Sequence, residues 1–150
     1  MDKDKSPDFP TGYFDRAVRD LPGIIRQAKR ELKELEFDVI IGTGFSGSVV
    51  IPALAMALKK PWCLVRKESD DSHHGGGRLV GNLGERWLFV DDFVSSGHTL
   101  KRVWQKVNQA AALHDRDIEF VGAWLYTYDW RDGFRPPQDF DYVFDPERLP

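Results

Sequence analysis

Two carboxylates, Asp91 and Asp92, close the apolar run Trp87-Leu88-Phe89-Val90 and open onto Phe93-Val94-Ser95-Ser96-Gly97-His98-Thr99. Carboxylates at the end of an apolar strand cannot be buried unpaired. Adjacent sugar hydroxyls are suitable partners for them. The small residues that follow let backbone N–H groups face an anion at the start of a helix, with Ser and Thr hydroxyls adding donors. An acid pair beside an anion nest is the chemistry a sugar phosphate needs. The plainer reading is a solvated strand end, with Ser96 or Thr99 as the next helix's N-cap.

A second segment, Gly42-Thr43-Gly44-Phe45-Ser46-Gly47, matches G-x-G-x-x-G between an apolar run and a helical one. Glu68 lies about where a dinucleotide fold wants a ribose-binding acid, so this loop alone would suggest an NAD(P) site. A Gly-rich turn without a ligand is the alternative. It is no Walker loop, because Ser48-Val49 stands where Lys-Ser/Thr is required. The adjacent His73 and His74 are either anion ligands or simply solvated.

These segments need elements to hold them. Phe14, Ala17, Val18 and Leu21 recur at helical spacing until Pro22-Gly23, and Ile24, Ile25, Ala28 and Leu32 resume the face. Short apolar runs at Phe37–Ile41, Trp62–Val65, Trp87–Val90 and Glu119–Thr127 read as strands. Val49–Leu58 reads as a helix, with Pro52 tolerable only in its first turn. Leu100, Val103, Trp104, Val107 and Ala111 define another helical face. Ser69–Gly84, polar and containing Gly75-Gly76-Gly77, reads as a mobile surface loop, and the tail from Tyr128 resists assignment. Alternating helix and strand implies an α/β fold, a mostly parallel sheet flanked by helices. Its ligands would sit beyond the carboxyl ends of the strands, where four loops converge.

Composition narrows the function classes. The chain has 150 residues, with 21 Lys+Arg against 24 Asp+Glu and a net charge of −3. That length suits one domain over residues 1–150. Near-neutral charge offers no footprint for nucleic acid or an anionic membrane. The one cysteine, Cys63, excludes a disulfide framework and a Cys-based zinc site. Val39–Leu58 carries no charge, but Gly42, Gly44, Gly47 and Pro52 break it into strand, turn and helix rather than a membrane span. No signal peptide is visible at the N-terminus, so a reduced cytoplasmic setting is expected.

Asp91–Thr99 resembles the phosphoribosyl diphosphate (PRPP) motif of type I phosphoribosyltransferases: an apolar strand, two acids, small residues, then Gly, any residue and Thr. The resemblance extends over about two thirds of the chain, from Gly23 to Gly133, and is greatest to the orotate phosphoribosyltransferases. Phe37–Gly42 with Gly47 is similar to their first strand and diphosphate loop. Arg66-Lys67-Glu68, His73, Gly76-Gly77 and Leu79-Val80-Gly81 are similar to their flexible hood loop. Ala123–Gly133 resembles the strand and loop over the base.

The resemblance implies a phosphoribosyltransferase fold and a Mg²⁺-dependent transfer of ribose 5-phosphate from PRPP to a nitrogenous base, in a homodimer. Asp91 and Asp92 would hold the ribose hydroxyls directly or through Mg²⁺, and with Lys67 form the catalytic set. Ser95, Ser96, Gly97, His98 and Thr99 would cradle the 5-phosphate. Thr43, Gly44, Phe45, Ser46, Arg66, Lys67 and His73 would face the diphosphate. Ser95, Trp130 and Arg131 would meet the base. A non-catalytic PRPP- or nucleotide-binding regulator of the same fold is the alternative reading.

The chain departs from the pattern at several points. Asp70 or Asp71 falls where the family's hood places a lysine. Trp130 falls near the arginine that recognises orotate, with Arg131 adjacent. The resemblance leads us to expect little of the long N-terminal region that helps enclose orotate. Ser95 stands where 6-oxopurine transferases place an aspartate.

Overall fold

A computed structural model of the chain describes residues 15–67, 79–127 and 133–144, together with Phe9 and Gly12. Two short helices come first, α1 (Asp15–Arg19) and α2 (Leu21–Glu31). Pro22-Gly23, which reads as an interruption in the sequence, instead lies in the first turn of α2. Asp20 is the N-cap, its Oδ1 accepting from the Gly23 N–H at 3.2 Å. Proline fits there because the first helical N–H groups have no internal acceptor. Ala17, Ile24 and Ala28 form the buried face.

Strand β1 is Val39–Thr43, buried throughout, and helix α3 follows at once as Gly44–Leu58. The helix therefore begins five residues before the expected Val49, and Pro52 sits in its interior rather than its first turn. Gly42 is also a strand residue and not part of a turn. A Cβ on it would lie 2.1 Å from Ile51 Cδ1, so α3 packs on β1 at this glycine. Close packing explains the early helix start: Val50, Ile51, Leu54 and Ala55 are all buried against the sheet.

The remaining elements are β2 (Trp62–Val65), β3 (Leu79–Gly81), β4 (Arg86–Asp91), α4 (His98–Leu113), β5 (Glu119–Leu125), β6 (Gly133–Arg135), a 3-10 turn (Pro137–Phe140) and α5 (Asp141–Phe144). The six strands among the described residues make one sheet in the order β3-β2-β1-β4-β5-β6. Its four central strands are parallel, as expected, while β3 and β6 run antiparallel at the edges. Leu79-Val80-Gly81, expected within a surface loop, pairs with Val65, Leu64 and Cys63. Leu79 packs against the core, which is the apolar contact that draws the segment into the sheet.

Alternation along the strands builds a core on each face. Ile40, Leu88, Trp124 and Tyr126 pack with α1, α2 and α3, whereas Ile41, Phe89 and Ala123 pack with α4 and α5. Full burial of side chains such as Ile40, Ile41 and Leu88 stabilises the fold by about 1.5–3 kcal/mol each. At the amino ends of β1 and β4, Asp38 Oδ1 accepts from Arg86 Nη2 at 3.1 Å, and Oδ2 accepts from the Arg86 backbone N–H at 2.8 Å. These bonds hold the Asp38 carboxyl below the usual carboxylate range. They tie the two strands together at the end opposite the loops that follow them. The chain leaves β1 toward one edge and returns to β4 to build the other. The β1–β4 junction is therefore the switch point, with a crevice beyond its carboxyl end.

Candidate active site

Thr43 ends β1 and Asp91 ends β4, so both residues reach the switch-point crevice. Helix α3 starts directly after Thr43, and α4 starts after the Gly97 N-cap. Neither N-terminus carries a side-chain cap. The first N–H groups of a helix lack internal acceptors and carry partial positive charge. Two uncapped N-termini flanking two carboxylates make a site that is cationic at its flanks and acidic at its centre. The cleft between them holds about 260 Å³. Thr43, Gly44, Phe45 and Ser46 line one wall, Asp91, Asp92 and Thr99 the other, and Lys67 its edge.

Ser46 Oγ donates to Asp91 Oδ1 at 3.1 Å, and the Asp92 backbone N–H donates to the same oxygen at 2.8 Å. Burial, and then the neighbouring Asp92 charge, nevertheless push the Asp91 carboxyl up to about 7. Behind them Tyr126 is fully buried, and its hydroxyl has no hydrogen-bond partner. Desolvation raises the pKa of that hydroxyl above its ordinary value.

Lys67 reaches the α3 turn. A Cβ built on Gly44, where φ is +70°, would lie 3.5 Å from Lys67 Cε and 3.8 Å from its Nζ. Arg66 is half-buried and lines an adjoining cleft of about 420 Å³, which shares Gly44, Phe45 and Lys67 with the first. In the nest before α4, the His98 backbone N–H donates to Ser96 Oγ at 3.4 Å. Ser95, Ser96 and His98 are exposed and outside the cleft lining, whereas Thr99 is in it. Gly97 has φ +86°, and a Cβ there would lie 2.4 Å from Val143 Cγ2, so only glycine fits the turn against α5.

The structure thus brings together Thr43, Gly44, Phe45, Ser46, Lys67, Asp91, Asp92 and Thr99, with Arg66 beside them. His73, Trp130 and Arg131, like Glu68, Asp70 and Asp71, lie outside the described residues. Sequence reasoning missed the supports. Tyr142 Oη donates to the Ser95 carbonyl at 3.4 Å, and Val143 backs Gly97, so the unassigned tail buttresses the nest. Arg102 and Lys106 also reach from α4 to the ends of β1 and β2. Their only sequence signal was a basic residue four positions from another.

Among the described residues, no helix is long and apolar enough to cross a membrane, and no three metal-ligating side chains cluster. Two hard carboxylates fit Mg²⁺, which commonly takes one or two carboxylates and completes its shell with water and phosphate oxygens. The repulsion from Asp92 that helps raise Asp91 is of the kind a divalent cation relieves.

Comparison with known proteins agrees with this geometry. The chain is 42% identical over 78 residues to the orotate phosphoribosyltransferase of Stutzerimonas stutzeri, covering 47% of this chain and 36% of that protein. It is 35% identical over 106 residues to the enzyme of Aeromonas salmonicida, covering 65% and 48% respectively. The chain thus spans about half the length, or less, of these curated relatives. Among solved structures, orotate phosphoribosyltransferase from Francisella tularensis superposes with a TM-score of 0.52 at 16% identity, over 83% of this chain and 61% of that one. The Mycobacterium tuberculosis enzyme in complex with PRPP gives 0.51 at 20% identity, over 75% and 64%. Both likenesses support the α/β fold. The PRTase-CE family model matches residues 11–131, most of the chain and all of the cleft described above, and the chain belongs to that family.

Proposed function

We propose that this protein is a phosphoribosyltransferase that moves ribose 5-phosphate from PRPP to a nitrogenous base and releases diphosphate. The observation that carries the reading is the Asp91–Asp92 pair at the switch point, between the uncapped N-termini of α3 and α4. In this reading the carboxylates accept from the ribose hydroxyls. The 5-phosphate lies on the nest Ser95, Ser96, Gly97, His98 and Thr99, and the diphosphate on Thr43–Ser46 with Arg66, Lys67 and His73. Ser95, Trp130 and Arg131 face the base.

Cleaving the bond from C1 to the diphosphate oxygen develops positive charge on the sugar and negative charge on the leaving group. N–H donors and cations already in place around that leaving group stabilise the transition state more than the ground state. Asp91 and Asp92 stabilise the cationic sugar. Asp91 and Asp92 would also hold Mg²⁺, which would supply further charge neutralisation at the donor.

The reading includes a homodimer. Phe45, Val49 and Met56 form an exposed apolar stripe on α3, whose opposite side is already buried in the core. A helix apolar on all sides is normally covered, and this stripe begins at the cleft itself, at Phe45. A second copy of the chain is the occupant we assign to it.

Calorimetry with PRPP and Mg²⁺, followed by a diphosphate-release assay over a panel of bases, tests the reading. Asp92→Asn removes a charge-assisted hydrogen bond worth about 1.5–3 kcal/mol, so PRPP affinity should fall roughly tenfold or more with the fold intact. Absence of PRPP binding to the wild type overturns the proposal. Tight binding without diphosphate release for any base favours the regulator reading.

A further inference from the structure

Helix α4 sends two long cations to the carboxyl ends of neighbouring strands. Arg102 Nη2 donates to Thr43 Oγ1 at 3.3 Å, at the end of β1. Lys106, 7% exposed, donates from Nζ to the Arg66 carbonyl at 2.8 Å, just past β2. Thr43 passes its own hydroxyl proton toward the Val65 carbonyl, so its oxygen links all three elements and leaves α3 without a side-chain cap. Arg102 Nε is buried and has no hydrogen-bond partner, and no carboxylate pairs with Arg102 among the described residues. A partly buried guanidinium with an unsatisfied Nε and no carboxylate partner among the described residues favours an anion nearby. Thr43, which accepts from this guanidinium, also lines the cleft.

From the Arg102–Thr43 contact we infer that Arg102 is a positioning residue for the diphosphate half of the donor. It holds Thr43 so that the α3 N-terminus stays uncapped for an anion, and its charge lies behind the turn Thr43–Ser46. Guanidinium is weakly hydrated and always protonated, which suits a fixed charge set back from solvent. Lys106 performs the matching mechanical task beneath Arg66 and Lys67. The inference rests on the PRPP reading and names the part of that ligand which Arg102 serves.

The test compares Mg²⁺–PRPP, inorganic diphosphate and ribose 5-phosphate as calorimetric ligands of the wild type, Arg102→Gln and Arg102→Lys. Gln keeps a donor for Thr43 and loses the charge; Lys keeps the charge and loses the planar fork. Arg102→Gln should weaken PRPP and diphosphate about tenfold and leave ribose 5-phosphate within about twofold. Arg102→Lys should fall between wild type and Gln for the same two ligands. Equal losses for all three ligands, or none, overturn the inference and leave Arg102 as a structural clamp. If Arg102→Gln does not fold, a selective loss in Arg102→Lys supports the inference and wild-type affinity in it overturns the inference. A wild type that binds neither PRPP nor diphosphate sinks the proposed function itself, a result distinct from either outcome.

Discussion

Ser46 Oγ donates to Asp91 Oδ1 at 3.1 Å, joining the first turn of α3 to the last residue of β4. The bond crosses the switch point and links the two halves of the cleft through a carboxyl whose pKa burial and Asp92 raise to about 7. Between the unfolded value, near 3.8, and that folded value, the unfolded chain binds fewer protons. Stability therefore falls as pH rises through this window, and the full cost is present above about pH 7. Asp91→Asn keeps an oxygen acceptor for Ser46 and the Asp92 N–H while removing the charge. The ligand-free variant should be more stable than wild type at pH 7.5, by about 1–2 kcal/mol, a usual size for relieving functional strain. Melting curves at pH 7.5 and pH 4 check it, because the difference should vanish at pH 4.

Lys67 carries the second prediction. Its ammonium lies at the α3 turn, where the leaving group's charge would grow. Lys67→Ala should lower kcat more than it weakens PRPP binding, since the interaction strengthens in the transition state. Removal of one such donor typically costs about 2.7–4 kcal/mol. Single-turnover kinetics beside calorimetry separates the two effects. A loss confined to binding would assign Lys67 to ground-state attraction alone.

Much of this architecture was legible in advance, and for identifiable reasons. The central strands announce themselves as short apolar runs bounded by charge or glycine, and Trp87–Val90 lies wholly within β4. Asp91 and Asp92 stand out because acids ending such a run need partners. The edge strands were hidden, because Leu79-Val80-Gly81 is too short and too close to Gly75-Gly76-Gly77 to signal pairing by itself. Only the partner strand β2 makes it one. The start of α3 was hidden for the opposite reason. Gly42, Gly44 and Gly47 look like turn residues, yet Gly42 is conserving space for Ile51 within the sheet–helix contact. The spacing of Arg102 from Lys106 could not reveal its role, because that depends on Thr43, 59 residues away in sequence.

Asp38 gives a pH prediction at the other end of the sheet. Its hydrogen bonds from Arg86 hold the folded pKa below the ordinary value of 3.8. Here the folded state binds fewer protons, so the stabilisation is fully present above pH 3.8 and is lost as pH falls below it. Asp38→Asn should lower stability at neutral pH and flatten the acid limb of the profile. Chemical denaturation from pH 2 to pH 7 checks this, and parallel curves for the two proteins would show that Asp38 adds no pH dependence.

The acceptor prediction rests on the sequence around Trp130. Orotate carries a carboxylate, whose selective recognition calls for a fixed cation, ideally a bidentate arginine. By the resemblance to orotate phosphoribosyltransferases Trp130 would fall near such an arginine, and its side chain offers only an indole N–H and a π-face. Stacking of this kind is worth roughly 1–3 kcal/mol per base in single-strand binding proteins. Orotate should therefore be a poor acceptor, and Trp130→Ala should raise the KM of the true base about tenfold with PRPP affinity nearly unchanged. Steady-state kinetics on orotate, adenine, hypoxanthine, guanine and uracil decides it. Efficient orotate turnover that Arg131→Ala abolishes would mean that Arg131 restores the clamp.

The last prediction concerns the support beneath the anion nest. Gly97 adopts φ +86°, and a Cβ on it would lie 2.4 Å from Val143 Cγ2 and 3.4 Å from two more Val143 carbons. Gly97→Ala therefore meets two separate obstacles, a left-handed backbone and a side chain on α5. Together they should destabilise the protein by about 2–4 kcal/mol, the first in the range of a strained backbone and the second in that of overpacking. Val143→Ala removes only the second. The double variant should then be more stable than the two single losses predict, with a coupling of about 1 kcal/mol, as expected for residues in contact. Its backbone strain should remain, and with it a weakened affinity for ribose 5-phosphate, because the N–H groups before α4 are displaced. Denaturant titrations of the four proteins measure the coupling, and calorimetry with ribose 5-phosphate measures the nest. Additive losses would mean that α5 does not press on Gly97 in solution, and that the tail does not shape the nest it covers.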